Sequence, residues 1–416
     1  MHGPPVELHL VGVSIRDSGL DVLERVAKTV PLALSDFFGN RPNGCGVAIL
    51  STCNRFEIYS LAPKDVADFL KGLFYNAGVN PDTLFVASRK NVVKHLIEVA
   101  CGIHSIAFGE LEILSQVRAV QVMGRGLYRQ SLVPLFKQVY ESGRRIRTVA
   151  GINGTNSLAV LSVKFLTDKI DIKTSRVLVV GYGTVGKKVV QELANNGVSQ
   201  IYVICRNTTR SVMENIELEF KKLDSLPDVI TSVDAVISAT SAPNYIITAE
   251  TFRYLPKDKR LVIIDLSLPR NVDPSIVWLN GIKLYNVADL ITTSERIPPV
   301  ILDRVKLAEL VNSESQRIYT LLKAFLQAEE ALKRFRVRAE SIRLGELSEV
   351  SKQLTGNIEH DRAVLDTFSK SLVNKLLHDP TVAVRRIVSS GVPPQFFDVI
   401  REVFGLGVEW SYQGWE

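Results

Sequence analysis

Ser51-Thr52-Cys53-Asn54-Arg55 sets a thiol between a hydroxyl, an amide and a guanidinium. A neighbouring cation favours the thiolate and polar donors beside it stabilise an oxyanion, so these residue types fit acyl transfer to sulfur at Cys53. The plainer alternative is a small buried hydrophobe, the usual state of a lone cysteine. A second constellation, Gly181-Tyr182-Gly183-Thr184-Val185-Gly186, follows the apolar run Arg176–Val180 and opens a helix expected over Val185–Asn195. Glycines so placed let backbone amides and a helix N-terminus approach a pyrophosphate that a Cβ would obstruct.

The next β-branched run, Ile201–Cys205, leads into Cys205-Arg206-Asn207-Thr208-Thr209-Arg210. A carboxylate at this place reads the ribose hydroxyls of NAD, whereas a guanidinium suits a 2′-phosphate. No acid is present, so the expected cofactor is NADPH with Arg206 as its reader; the alternative makes Arg206 and Arg210 solvated loop charges. No metal is expected, because the six histidines, His2, His9, His95, His104, His360 and His378, form no ligand pair at helical spacing. The four cysteines, Cys45, Cys53, Cys101 and Cys205, lack C-x-x-C spacing and read as free thiols in a reducing compartment.

These residues need elements to hold them. At 416 residues, 46% apolar and 23% charged, the chain is long enough for more than one core and is not composed like a disordered or fibrous protein. The opening residues lack a basic stretch followed by a long apolar core, and no later segment approaches roughly 18 uncharged apolar residues. The expectation is a soluble cytoplasmic protein that does not meet the membrane. A net charge of +6 permits an anionic partner such as RNA without requiring one.

Before residue 150, short strands such as Leu8–Val13 and Val47–Leu50 mix with helical stretches, which indicates an α/β or α+β unit. Between Asn91 and His104 apolar residues recur at helical spacing, and His95 lies at the margin of their stripe. From 174 to 290, the runs RVLVVG, IYVIC, AVISAT, LVIIDL and KLYNV alternate with helix-length segments, as in a doubly wound parallel sheet. Beyond Pro299 a very long helix is expected through about residue 352, after which Pro380 and Pro393-Pro394 should divide the rest into shorter helices.

Thr52-Cys53-Asn54-Arg55 resembles the T-C-N-R signature of the glutamyl-tRNA reductases. The likeness continues in order through His95-Leu96, Val99-Ala100, Gly102, Ser105, Phe108-Gly109-Glu110 and Glu112-Ile113-Leu114-Ser115-Gln116-Val117-Arg118. It then takes in the glycine loop, Cys205-Arg206-Asn207-Thr208, Ser238-Ala239-Thr240 and Asp265-Leu266-Ser267-Leu268-Pro269-Arg270-Asn271-Val272. The resemblance implies a catalytic glutamyl-tRNA-binding domain over 1–155, a Rossmann NADPH domain over 156–295, and a spine helix with a helical dimerisation domain over 296–416. It makes Cys53 the nucleophile, ties His95 to activity, and lines a glutamate pocket with Thr52, Asn54, Arg55, Ser105, Glu110, Leu111, Glu112 and Gln116. Arg55 offers a fork to a substrate carboxylate; Glu110 and Glu112 hold the ammonium group or orient Arg55, a choice the sequence leaves open.

The implied reaction is NADPH-dependent reduction of glutamyl-tRNA to glutamate 1-semialdehyde through a Cys53 thioester, the first step from glutamate to porphyrins and haem. A homodimer and pairing with the downstream glutamate-1-semialdehyde aminotransferase are implied as well. Arg144, Arg145 and Arg147, or Lys333, Arg334, Arg336 and Arg338, are candidates for tRNA phosphates, against the plainer reading of solvated helix faces. His104 stands where the family usually has an acid, Glu98 where it often has Arg, Thr184 where it usually has Glu, and Leu111 replaces a common Pro or Gln. These departures bear on substrate contacts and cofactor geometry, and His104 reads as a solvent-facing residue at a helix end. Two rival readings are an NADP-dependent dehydrogenase of a small polar metabolite with a structural Cys53, and a catalytically silent tRNA-binding paralogue.

Overall fold

The structure, a computed structural model, describes residues 6–40, 46–120, 122–124, 127–152, 157–198, 200–206, 217–291, 293, 304–389, 399–400 and 402–403. The chain divides into two compact units, Met1–Phe325 and Leu326–Glu416. The first contains two sheets.

The N-terminal sheet has five strands, β1 (Glu7–Ser14), β2 (Gly46–Ser51), β3 (Arg55–Ala62), β4 (Phe85–Ser88) and β5 (Val122–Gly124), in the order β4-β1-β3-β2-β5. All its pairings are antiparallel. The central strand β3 is buried at every position, which forces the charged Arg55 and Glu57 to find partners inside the protein. The short helix α1 (Ile15–Ser18) follows β1, and α2 (Leu20–Asn40) and α3 (Lys64–Asn76) pack on the sheet. Three more helices, α4 (Lys90–Ala100), α5 (Glu112–Arg118) and α6 (Leu127–Ala150), complete this part. As expected, α4 buries Val92, Val93, Leu96, Ile97, Val99 and Ala100 and leaves His95 at the edge.

Downstream, α7 (Leu158–Thr167) leads to a parallel sheet of β6 (Arg176–Val180), β7 (Gln200–Ile204), β8 (Glu217–Lys221), β9 (Ala235–Ser238), β10 (Leu261–Asp265) and β11 (Ile282–Asn286). Its order is β11-β10-β9-β6-β7-β8, so the chain steps outward from β6 in one direction, then restarts at β9 in the other. That is the Rossmann order, and its switch point lies between β6 and β9. Helix α8 (Thr184–Asn195) follows β6, and α9 (Leu226–Ser232) precedes β9. Strand β8, with the sequence ELEFK, was not among the expected runs because an edge strand carries charges where central strands carry Val and Ile. The Asp265 carboxylate after β10 accepts from the amides of Ser267, Asn271 and Val272, shaping a loop that presents Arg270 to Asp21 and Glu24 on α2.

The expected long helix is α10 (Arg304–Ser351), of 48 residues, followed by α11 (Ile358–Ser389). Within the second unit Arg338 pairs with Asp379 at 2.7 Å and Lys375 with Glu346. Pro380 does not end a helix as expected: it lies inside α11. A proline forfeits one intrahelical hydrogen bond, and a helix this long carries that loss without unwinding. Pro393-Pro394 lies outside the described residues. Among the described residues Val350 is the sole buried hydrophobe of this unit, while Phe335, Val337, Leu344, Leu365, Val373 and Leu377 are exposed. A helix pair with so little core of its own leaves an apolar surface for a partner. No helix among the described residues is long and apolar enough to cross a membrane.

Candidate active site

Cys53 sits at the tip of the tight β2–β3 turn. The Thr52 amide donates to the Arg55 carbonyl at 2.9 Å, and the Thr52 hydroxyl accepts from the amides of Asn54 and Arg55 at 3.1 and 3.2 Å. A threonine at the first turn position thus closes the turn with its own side chain. Asn54 and Arg55 then reach the loop after α4: Asn54 Nδ2 donates to the His104 carbonyl at 2.8 Å and Arg55 Nη2 to the same oxygen at 2.5 Å. That loop returns because Gly102, at φ +74°, lies so close to Gly109 that a Cβ would meet the Gly109 Cα. Arg147 fixes it by donating to the carbonyls of Cys101, Gly109 and Glu110.

Arg55, Glu57 and Tyr59 alternate along β3 and so share one face of the sheet. Arg55 Nη1 donates to Glu57 Oε1 at 3.0 Å, His95 Nε2 lies 2.8 Å from the same oxygen, and the Tyr59 hydroxyl donates to Oε2 at 2.6 Å. Burial works against ionisation of Glu57, but Arg55, His95 and Tyr59 hold its carboxyl at about 2. The fork expected to receive a substrate carboxylate is therefore committed within the protein, leaving only Arg55 Nε buried without a partner. Glu57, not Glu110 or Glu112, orients Arg55. The alternation of arginine, acid and tyrosine at every second position of a strand was the signal that could have identified this network.

The thiol also departs from expectation. Burial pushes Cys53 up to about 12, with the charge of Glu110 adding to the rise and Arg55 only partly opposing it. The expected cation is present, but its charge is spent on Glu57. Glu110 itself is raised to about 7 by burial, against a hydrogen bond from Ser105, with Glu112 adding to the rise. Glu112 in the first turn of α5 accepts from Lys188 of α8, and Gln116, four residues on, shares its helix face. Leu111 is exposed.

A cavity of about 310 Å³ gathers Asn54, Arg55, Glu57, His95, His104 and Ser105. Cys53, Glu110, Leu111, Glu112 and Gln116 do not line it, although the charges of Arg55, which does, and of Glu110 both act on the thiol. His104 is more than a solvent-facing residue: its ring stacks on that of His95 and its Nε2 lies 2.9 Å from Glu98. The two departures at 98 and 104 thus pair with each other. Arg147, proposed for tRNA phosphates, is 4% exposed and bound to three carbonyls, and Arg145 pairs with Glu314. Lys333 has no described side chain, whereas Arg338 is engaged with Asp379.

In the second sheet, a cleft of about 1280 Å³ opens at the switch point and is lined by Gly181, Tyr182, Gly183, Thr184, Val185 and Arg206, among others. Gly181 stands at φ +101°, where a Cβ would strike the Ala239 carbonyl; one at Gly186 would strike the Gly181 carbonyl. A Cβ at Gly183 meets nothing within 4 Å, so this glycine borders open space at the N-terminus of α8. The cradle fits a dinucleotide pyrophosphate. Arg206 is exposed at the end of β7; Asn207, Thr208, Thr209 and Arg210 lie outside the described residues.

Comparison with known proteins follows the same order along the chain. Residues 11–150 match the model of the glutamyl-tRNAGlu reductase N-terminal domain, 164–293 that of shikimate/quinate 5-dehydrogenase, and 306–406 that of the glutamyl-tRNAGlu reductase dimerisation domain. The central match is to a dehydrogenase-type nucleotide domain, which assigns the cleft to a nicotinamide cofactor. A glutamyl-tRNA reductase of Methanosarcina mazei is 30% identical over 376 residues, covering 87% of this chain and 83% of that protein. One from Cyanophora paradoxa is 28% identical over 389 residues, covering 88% and 89%. A solved glutamyl-tRNA reductase from Methanopyrus kandleri is 24% identical, covers 95% of this chain and 97% of its own, and has a TM-score of 0.35. Since the identity to the Methanosarcina mazei protein extends over most of both chains, this chain belongs to the glutamyl-tRNA reductase family.

Proposed function

We propose that the chain reduces glutamyl-tRNA to glutamate 1-semialdehyde, with Cys53 taking the glutamyl group and NADPH serving as reductant, at the head of tetrapyrrole synthesis. The aminoacyl ester is already activated, so sulfur can attack it without ATP. The observation that carries the reading is Cys53 at the tip of the Thr52–Arg55 turn, close enough to Glu110 for that carboxylate to raise it. Glu110 at about 7 is matched to removing the thiol proton as the sulfur attacks, which a protonated thiol requires. His95, oriented by Glu57 through Nε2, relays a proton from solvent by way of Nδ1 to the departing ribose oxygen. Thr52, Asn54, Ser105, Glu112 and Gln116 surround the glutamyl group, and the buried Arg55 Nε is the guanidinium donor left for it.

When bound, NADPH supplies the hydride that takes the thioester to the aldehyde. The glycine loop would hold its pyrophosphate, and Arg206 its 2′-phosphate. The domains divide as 1–155 for acyl transfer, 156–295 for the cofactor and 296–416 for dimerisation through the exposed apolar face of α10 and α11. A reactive aldehyde favours direct passage to the aminotransferase that consumes it, in the cytoplasm. The test is oxidation of NADPH with glutamyl-tRNA against free glutamate, for the wild type and Cys53→Ser. Turnover only with the charged tRNA and only with Cys53 supports the reading; turnover in Cys53→Ser makes the thiol structural, and none in the wild type makes the chain a silent paralogue. NADH should serve poorly, and Arg206→Ala should raise the KM for NADPH far more than that for NADH.

A further inference from the structure

His95, Glu98 and His104 come together although only the first two lie on one helix. His95 and Glu98 are three residues apart on α4 and project from the same side. The turn at Gly102 carries His104 back over them, so its ring stacks on His95 with centroids 5.3 Å apart. One ring nitrogen of each histidine and a Glu98 carboxylate oxygen lie within 4.8 Å of one another. The expectation of no metal rested on helical spacing alone, and a ligand delivered by a turn escapes that test.

From this cluster we propose a three-ligand site for a divalent transition-metal ion such as Zn²⁺, formed by His95, Glu98 and His104. Two imidazoles and one carboxylate are a donor set suited to zinc, with a fourth position left open. A tetrahedral ion with bonds of about 2.0–2.1 Å spaces its ligands about 3.4 Å apart, so a modest rotation of the exposed His104 side chain closes the site. His95 already has the outer partner that metal-bound histidines use: Glu57 lies 2.8 Å from Nε2 and, as a carboxylate, accepts the hydrogen bond of an N–H there, which leaves the lone pair on Nδ1. Access is open, since a cavity of about 810 Å³ is lined by all three ligands and the 310 Å³ cavity by both histidines. Lys94, 3.9 Å from Glu98, is the cation that an incoming ion displaces. Occupancy would withdraw His95 from proton transfer and so suppress reduction, a consequence that rests on the proposed function, whereas binding itself does not.

The test titrates the full-length protein with Co²⁺, followed by visible absorption, and with Zn²⁺ against a chromophoric chelator. One equivalent per chain is expected, and His104→Ala and Glu98→Gln should each weaken it by about tenfold or more, with unchanged circular dichroism. Cys53→Ser should bind as the wild type does, without loss of any sulfur-to-metal band. Absence of stoichiometric binding, indifference to both substitutions, or loss of binding in Cys53→Ser would each overturn the site, the last by putting the ion on the thiol. Zn²⁺ should inhibit NADPH oxidation at the concentration that fills the site; filling without inhibition would leave the site standing and remove His95 from the mechanism.

Discussion

Lys188, on the helix behind the glycine loop, pairs with the Glu112 carboxylate at the start of α5, joining the cofactor half of the first unit to the loop that carries Glu110. Lys188 reaches Glu112 Oε1, while the buried Oε2 has no hydrogen-bond partner among the described residues. Lys188→Ala should therefore leave NADPH affinity near the wild-type value while more of the thioester is lost as free glutamate before hydride arrives. The ratio of aldehyde to free glutamate in a single turnover measures this. An unchanged ratio would show that the pair is only a surface contact.

The thiol and Glu110 give acyl transfer a defined pH dependence. Glu110 accepts a proton only when ionised, and its carboxyl is raised to about 7, so acyl transfer should climb as pH rises through about 7. The free thiol is held near 12, so alkylation by iodoacetamide without substrate should still be climbing at pH 10, where roughly 1% is ionised. Glu110→Gln removes a negative charge that raises the thiol: alkylation at pH 9 should speed up while acyl transfer slows and loses its limb near 7. If both slow together, Glu110 is packing and not a base.

Glu57→Gln should cost about 3 kcal/mol in urea unfolding, because Arg55 would remain buried as an unpaired charge. The side chains of this pair are 4% and 5% exposed, too little for solvent to compensate. A loss below about 1 kcal/mol, the scale of a surface pair, would mean that the pair is hydrated in solution.

What was legible in the sequence was whatever local pattern controls. Glycine spacing after an apolar run located the cofactor cleft, and helical spacing over 91–103 placed His95 correctly at the rim of α4. What was not legible depended on partners distant in the chain. Arg55 beside Cys53 suggested a stabilised thiolate, but β3 buries Arg55 on the same face as Glu57, which takes its charge. Lys188 and Glu112 are 76 residues apart, and Arg147 looked like a surface cation until the loop it binds folded over it. His104 needed the Gly102 turn to become a neighbour of His95.

The central claim is that Cys53 carries the glutamyl group before, and independently of, hydride transfer. Gly183→Asp tests it, because a side chain there meets no protein atom within 4 Å but enters the space where the pyrophosphate would lie. Acid quench of this variant with labelled glutamyl-tRNA should show label on the protein and no aldehyde, and the double variant with Cys53→Ser should show no label. A folded Gly183→Asp enzyme that takes up no label, or label that persists without Cys53, would contradict the account.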